Sequence, residues 1–325
     1  MQDIQDIPVL ILAYNRYEKF LKCFQTLYSY GCRNIYISLD GTKNNYDLNQ
    51  QEKIIKFYLN QKLSGLGKIN RLKENNGCRL GPIKGISWFF EKNEYGVILE
   101  DDLIISKNCL KAFYKLLNLY KESNKYMSIS SFYEYSNEDK EYLYSMPIWR
   151  SWGWATWSDK WFKHIQITKE IKKLGLFELY KFLPIQLRSF ETIKILKSCQ
   201  LDLIDAWDYE FNFSHIYLNY KSLTLGGINN YVYGFDETAT HTLDINSIGI
   251  DFQLFKERDF DFSIIKDFDL RSLKLVLKKC GFFYKNKYKK TNIIFVLIYS
   301  YLYMIILNLR IFKRHLKKLF LFRKT

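Results

Sequence analysis

Residues 7–16 read Ile7-Pro8-Val9-Leu10-Ile11-Leu12-Ala13-Tyr14-Asn15-Arg16, an apolar run of strand length that stops abruptly at polar residues. A strand without polar alternation is one buried on both faces. Tyr17, Phe20, Leu21, Phe24, Leu27 and Tyr28 then recur at helical spacing, and Gly31 stands where a helix closes on a left-handed residue. The unit repeats. Asn34–Leu39 is a second strand running into Asp40-Gly41, residues 48–63 read as helix, Lys68–Leu72 as a short strand and Pro82–Glu91 as helix. Tyr95–Glu100 is a further buried strand, followed by a helix over Ser106–Tyr120 with Ser106 as its N-cap. This alternation predicts an α/β fold, a Rossmann-like, mostly parallel sheet with helices on both faces. Sheets of that kind bind ligands at the carboxyl ends of their strands.

The chain has 325 residues, 48% of them hydrophobic, enough to bury a substantial core. Its 49 Lys and Arg against 34 Asp and Glu give +15. That excess is localised: residues 270–325 hold 15 basic residues and no acidic one, so residues 1–269 are neutral. A neutral body has no positive field to draw a polyanion, and nucleic acid is excluded as its partner. Six cysteines lie without CxxC or zinc-site spacing and read as reduced, buried residues. Met1-Gln2-Asp3-Ile4-Gln5-Asp6 lacks the basic start and apolar centre of a secretory signal, which predicts a cytoplasmic catalytic part.

Candidate chemistry gathers at the predicted strand ends. Glu100-Asp101-Asp102 follows Val97-Ile98-Leu99, and three adjacent carboxylates repel one another unless a cation sits among them. Hard oxygen donors suit Mg²⁺ or Mn²⁺, which can bridge to a diphosphate; the residues alone also allow a solvated acidic turn. Asp40 could accept from a nucleobase or ribose, or could simply belong to an Asp-Gly turn. Arg16 could take a phosphate, or be a surface arginine. Asn75 to Gly85 brings glycines, Arg79 and Lys84 to the start of a helix, a plausible diphosphate neighbourhood, though the P-loop order is missing. No Gly-x-Gly-x-x-Gly follows the first strand. Trp149, Trp152, Trp154 and Trp157 fall within nine residues, either as walls for a sugar ring or as core. Asp205-Ala206-Trp207-Asp208-Tyr209-Glu210 adds carboxylates on a predicted helix, and Glu237 and His241 stand in a polar loop.

Together these segments resemble, in order, the GT-A-fold glycosyltransferases similar to α-mannoside β-1,2-N-acetylglucosaminyltransferase I and its bacterial relatives. The likeness covers about residues 7–242: Pro8–Arg16 resembles the opening strand and nucleotide loop, Ser38–Gly41 the base-recognition strand end, and Val97–Asp102 the Glu-Asp-Asp metal motif. Trp152-Gly153-Trp154 resembles the lining of the donor sugar site, Ala206-Trp207-Asp208 the segment of the catalytic base, and Gly234–Thr242 a closing motif. The resemblance implies an inverting transfer from a nucleotide-diphosphate sugar, a UDP-sugar, with Mn²⁺ or Mg²⁺. It implies Asp102 as metal ligand and Asp208 as general base. Arg16, Asp40, Lys84, Glu100, Asp101, Trp152, Gly153 and Trp154 then meet the donor, with Arg79, Glu237 and His241 as further candidates. Two other classes stay in view. A sugar-nucleotide pyrophosphorylase should carry a glycine-rich basic loop where Ala13–Tyr17 stands; a non-enzymatic carbohydrate-binding module would explain the tryptophans but not the carboxylates.

The expected organisation is a catalytic domain over 1–245, with a nucleotide-sugar half (1–125) and an acceptor half (126–245), a connecting segment over 246–290, and a hydrophobic, basic tail over 291–325. In the tail, Ile293–Leu307 carries no charge but is short for a bilayer core, and lysines and arginines flank it on both sides. Leu309, Phe312, Leu316, Leu319 and Phe320 share a helical face opposite cations, the pattern of a helix lying on anionic lipid. A helical tail that attaches the protein peripherally to the inner face of the cytoplasmic membrane, with a glycan or glycolipid acceptor in a bacterial lipopolysaccharide or capsule route, is the resulting expectation.

Overall fold

The computed structural model of the chain describes residues 4–61, 63, 68–132, 142–184, 187–227, 229–233 and 255–267. β1 (Val9–Ala13) is buried almost throughout, and α1 (Tyr17–Ser29) turns Phe20, Cys23, Phe24 and Leu27 inward. Gly31 closes α1 with φ +102°: Cys32 N donates to Leu27 O, and Gly31 N to Tyr28 O. There follow β2 (Ile35–Leu39), α2 (Asn45–Leu59), β3 (Ile69–Arg71), α3 (Gly77–Phe90), β4 (Tyr95–Glu100), β5 (Leu103–Ile105) and α4 (Lys107–Leu119). Ser106 caps α4 as predicted, accepting from Cys109 N, and Asn44 caps α2 by accepting from Asp47 N. The second half comprises β6 (Tyr126–Ser130), β7 (Tyr142–Met146), β8 (Trp154–Trp157), α5 (Ser158–Ile171), α6 (Leu176–Phe182), α7 (Phe190–Gln200), α8 (Asp208–Leu218), β9 (Lys221–Leu225), β10 (Asn230–Val232) and β11 (Asp261–Asp267).

Nine strands form one mixed, mostly parallel sheet in the order β11-β7-β9-β6-β8-β4-β1-β2-β3, the Rossmann-like α/β fold expected. β3, β2, β1 and β4 run parallel, β8 lies antiparallel between β4 and β6, and β10 pairs antiparallel with β5 in a small second sheet. Successive residues of β1 face opposite layers. Val9 and Ile11 join Phe20 and Phe24 of α1, Ile54 of α2 and Phe113 of α4, whereas Leu10 and Leu12 join Phe89 of α3, Trp161 of α5 and Phe211 of α8. A third cluster unites α5 to α8 through Ile167, Leu179, Leu196 and Phe213.

Three sequence expectations change here. α3 starts at Gly77 rather than Pro82, so the proline lies inside the helix, because side chains from elsewhere hold the turn before it. Within the expected connecting segment, Asp261–Asp267 form β11, which pairs parallel with β7 at the edge of the main sheet. Its mostly exposed residues gave no apolar run to read. The helix expected to begin at residue 48 begins at Asn45 and ends at Leu59. Glu237, His241 and the tail over 291–325 lie outside the described residues. Among the described residues no helix is long and apolar enough to cross a membrane. Among the described cysteines, Cys23, Cys32, Cys109 and Cys199 are free and buried as expected, whereas Cys78 is only half-buried.

Candidate functional site

The carboxyl ends of β1, β2 and β4 meet at one sheet edge, and antiparallel β8 begins there, with Trp154 beside Ile98. Beyond β1 the Tyr14-Asn15-Arg16 loop is held from α2: Tyr14 Oη donates to Asp47 Oδ2 at 2.6 Å and Asn15 Nδ2 to Asp47 Oδ1 at 2.7 Å. Asp47 is 2% exposed. Burial works against its charge, but the bonds from Tyr14, Asn15 and the Lys43 and Asn44 backbone outweigh it and hold the carboxyl below the usual aspartate value.

Glu100 ends β4 beside Leu12, and Asp101 N donates to Leu12 O at 3.0 Å. β10 pins the same turn: Tyr233 N donates to Asp102 O at 3.0 Å, and the Tyr233 hydroxyl lies 2.9 Å from Asp101 O and 2.8 Å from Lys19 O. Into this acidic turn reaches the Arg16 guanidinium. Nη2 and Nε donate to Asp101, Nη1 donates to Asp102 Oδ2 at 2.9 Å. Burial disfavours the Arg16 charge, yet Asp101 and Asp102 more than compensate and hold it protonated. Glu100 is pushed above the carboxylate range by burial first, then by Asp102, Asp101 and Asp208, with Arg16 pulling the other way. Asp208, the first residue of α8, is thus electrostatically within reach of Glu100.

Other predicted site residues fall elsewhere. Asp40 was expected to meet a nucleobase; instead its carboxylate accepts from Asn76 N and Gly77 N at 2.9 Å each, and from Gly41 N at 2.9 Å. Asp205 accepts from Cys78 N at 3.3 Å and Arg79 N at 2.8 Å. The N-terminus of α3, expected to cradle a diphosphate, is therefore capped by the protein's own carboxylates. Its glycines serve close packing: a Cβ on Gly81 would lie 3.0 Å from the Asp40 carboxylate, and one on Gly85 2.5 Å from Ser38 Oγ. Arg79 is likewise committed, with Nη2 2.9 Å from Glu210 Oε1 and 2.8 Å from Asp202 Oδ1, which corrects its reading as a phosphate ligand. Lys84 is exposed and donates to Asn76 Oδ1.

Trp154 is 1% exposed and packs on Trp149, Trp161, Trp207 and Phe211, so its indole is core and cannot line a sugar site. Trp149, Trp157 and Trp161 are equally buried. Trp152 is half-buried against Phe132, and its carbonyl accepts from Ser131 Oγ at 2.6 Å. Gly153 needs its φ of +78°, and a Cβ there would lie 3.0 Å from Ile105 and Ser131 side chains.

Whether a divalent cation fits is decided by the donor set. Among the described residues no cluster of three or more His, Cys, Asp or Glu forms a cage. The oxygens of Asp101 face Arg16, which leaves Glu100 and Asp102 as hard donors. That suits Mg²⁺ or Mn²⁺, which bind through one or two carboxylates and complete their shell with substrate phosphates. The sequence reading missed Asp47 and Tyr233 and gave Asp205 no role of its own. Asn44-x-x-Asp47 is a readable capping spacing; Asp205 sits beside Asp208 in the quoted segment; Tyr233 acts through β10–β5 pairing and has no local signal.

No family model matches this sequence, and no curated protein matches it. Among solved structures the chain is similar to the crystal structure of GalNAc-T7 with UDP, GalNAc and Mn²⁺, at 10% identity and a TM-score of 0.42. The overlap covers 67% of this chain and 42% of that one, so the chain spans less than half the length of the structure it matches.

Proposed function

We propose that this chain is a GT-A-type glycosyltransferase that moves a sugar from a UDP-sugar to an acceptor hydroxyl with inversion and with a divalent cation. The observation that carries the reading is the meeting, at the carboxyl ends of β1 and β4, of Arg16 with Asp101 and Asp102 beside Glu100, with Asp208 of α8 within electrostatic reach of Glu100. Of the motifs resembled over residues 7–242, the opening strand with its Tyr14-Asn15-Arg16 loop, the Glu100-Asp101-Asp102 turn and the Ala206-Trp207-Asp208 segment support it. Burial of Trp149, Trp154, Trp157 and Trp161 removes most of the aromatic wall that a carbohydrate-binding module would need. The polar Tyr14-Asn15-Arg16 loop, locked to Asp47, disfavours a pyrophosphorylase.

In this reading Asp102, with Glu100, would hold Mn²⁺ or Mg²⁺, which supplies positive charge to the leaving diphosphate. Arg16 offers its guanidinium to a phosphate oxygen. Asp208 takes the proton of the acceptor hydroxyl as that oxygen bonds to the anomeric carbon; the anomeric carbon–oxygen bond to phosphate breaks on the opposite side, and the nucleoside diphosphate departs. A single in-line displacement inverts the configuration. A glycan or glycolipid acceptor, a role in a bacterial surface glycan, and attachment of the tail over 291–325 to an anionic inner membrane surface complete the proposal.

Asp208→Asn tests the base assignment: donor binding should persist while transfer falls by about 10²–10⁴-fold. Unimpaired transfer by that variant would remove Asp208 from the mechanism.

A further inference from the structure

Arg16 treats the three carboxylates of the acidic turn unequally. Asp101, 1% exposed, receives Nη2 and Nε on its two oxygens. Asp102, whose side chain is 12% exposed, receives Nη1 alone, on Oδ2 at 2.9 Å. Among the described residues no side chain hydrogen-bonds Glu100. The guanidinium thus has a buried, two-point anchor on Asp101 and a single bond at the water edge on Asp102. Arg16 is the cation bonded to the turn, with Lys19 within electrostatic reach of Asp101; three carboxylates stand against them, with Asp208 a fourth within electrostatic reach of Glu100.

We propose that Arg16 is the internal counter-ion of this turn and competes with a divalent cation for Asp102. Anchored on Asp101, it yields Asp102 Oδ2 to the incoming cation, and the freed Nη1 turns to an oxygen of the nucleotide diphosphate. The inference rests on the donor-binding reading above and adds an energetic coupling to it. A cation alone must displace a guanidinium that gains nothing in exchange; a cation arriving with a diphosphate gives that guanidinium a new partner. Each ligand therefore raises the affinity of the other by the same factor.

The test measures free Mn²⁺ by electron paramagnetic resonance in titrations of the full chain, with and without UDP. Wild type should bind Mn²⁺ weakly alone and at least tenfold tighter with UDP. Arg16→Gln should bind Mn²⁺ alone at least tenfold tighter than wild type, and UDP should then add less than threefold. The double variant Arg16→Gln/Asp102→Asn should lose the gain. Arg16→Lys keeps the charge but cannot bridge two carboxylates, and should fall between wild type and Arg16→Gln; melting curves of each variant establish that it is folded. Unchanged Mn²⁺ affinity in folded Arg16→Gln and Arg16→Lys, or a gain that survives Asp102→Asn, overturns the proposal. A gain in Arg16→Gln with no response of any variant to UDP or GDP supports the counter-ion and refutes the donor reading, so the two fail separately.

Discussion

Arg16 and Asp47 fix the loop after β1 from its two ends. Asp47 is an acceptor for Tyr14, Asn15 and the Lys43 backbone, while Arg16 ties the loop's far end to Asp101. Asp47→Ala would leave the half-buried Tyr14 hydroxyl and Asn15 amide without their acceptor, at a cost of about 0.5–1.5 kcal/mol, read as a lower denaturant midpoint. Asp47 titrates lower in the folded chain than in the unfolded one, so its contribution is complete above the unfolded value of 3.8 and is lost as pH falls through the folded value. Stability of Asp47→Asn should accordingly decline less than that of wild type on acidification below about pH 4. An identical acid limb would show that the carboxylate charge is unimportant there. At this scale the sequence reveals a side chain's chemistry better than its partner. Glu100, Asp101 and Asp102 were legible as an acidic cluster because they are adjacent; that Arg16 bonds two of them was not. The partners of Asp40 and Arg79 were not legible, because Asn76 and Glu210 lie far from them along the chain.

The contact of α3 with the sheet decides how the second half meets the first. Gly81 and Gly85 let the helix approach Asp40 and Ser38 closely, Gly77 faces the Asp205 carboxylate, and Arg79 binds Glu210 of α8. Gly85→Ala would force a methyl against Ser38 Cβ, 2.8 Å away, and push α3 from β2. A loss of about 1–3 kcal/mol is expected, as a shifted urea midpoint with unchanged slope; an unshifted midpoint would mean that the helix has room. Most elements through α4 were readable, because doubly buried strands such as β1 and β2 are continuous apolar runs and α1 and α4 bury one face each; the three-residue β5 was not. α8 was harder. Glu210 to His215 are all buried, so the helix is covered on every side and has no polar face to mark its period. Only its acidic first turn pointed to the site.

Across the whole molecule, charge and fold separate two roles. Residues 1–269 balance 34 basic against 34 acidic residues, and within that balance Glu100, Asp101 and Asp102 adjoin at the end of β4 while Asp208 begins α8. The net +15 belongs to residues 270–325, beyond the edge strand β11. A neutral body with an acidic, arginine-tethered turn is suited to take a diphosphate together with a divalent cation rather than a polyanion by field alone. The direct test is thermal unfolding of the full chain with a panel of UDP- and GDP-sugars, with and without Mn²⁺. The account predicts that Mn²⁺ and a UDP-sugar together raise the melting temperature by more than the sum of their separate effects. If no nucleotide sugar shifts the melting temperature, with or without Mn²⁺, the glycosyltransferase reading is contradicted.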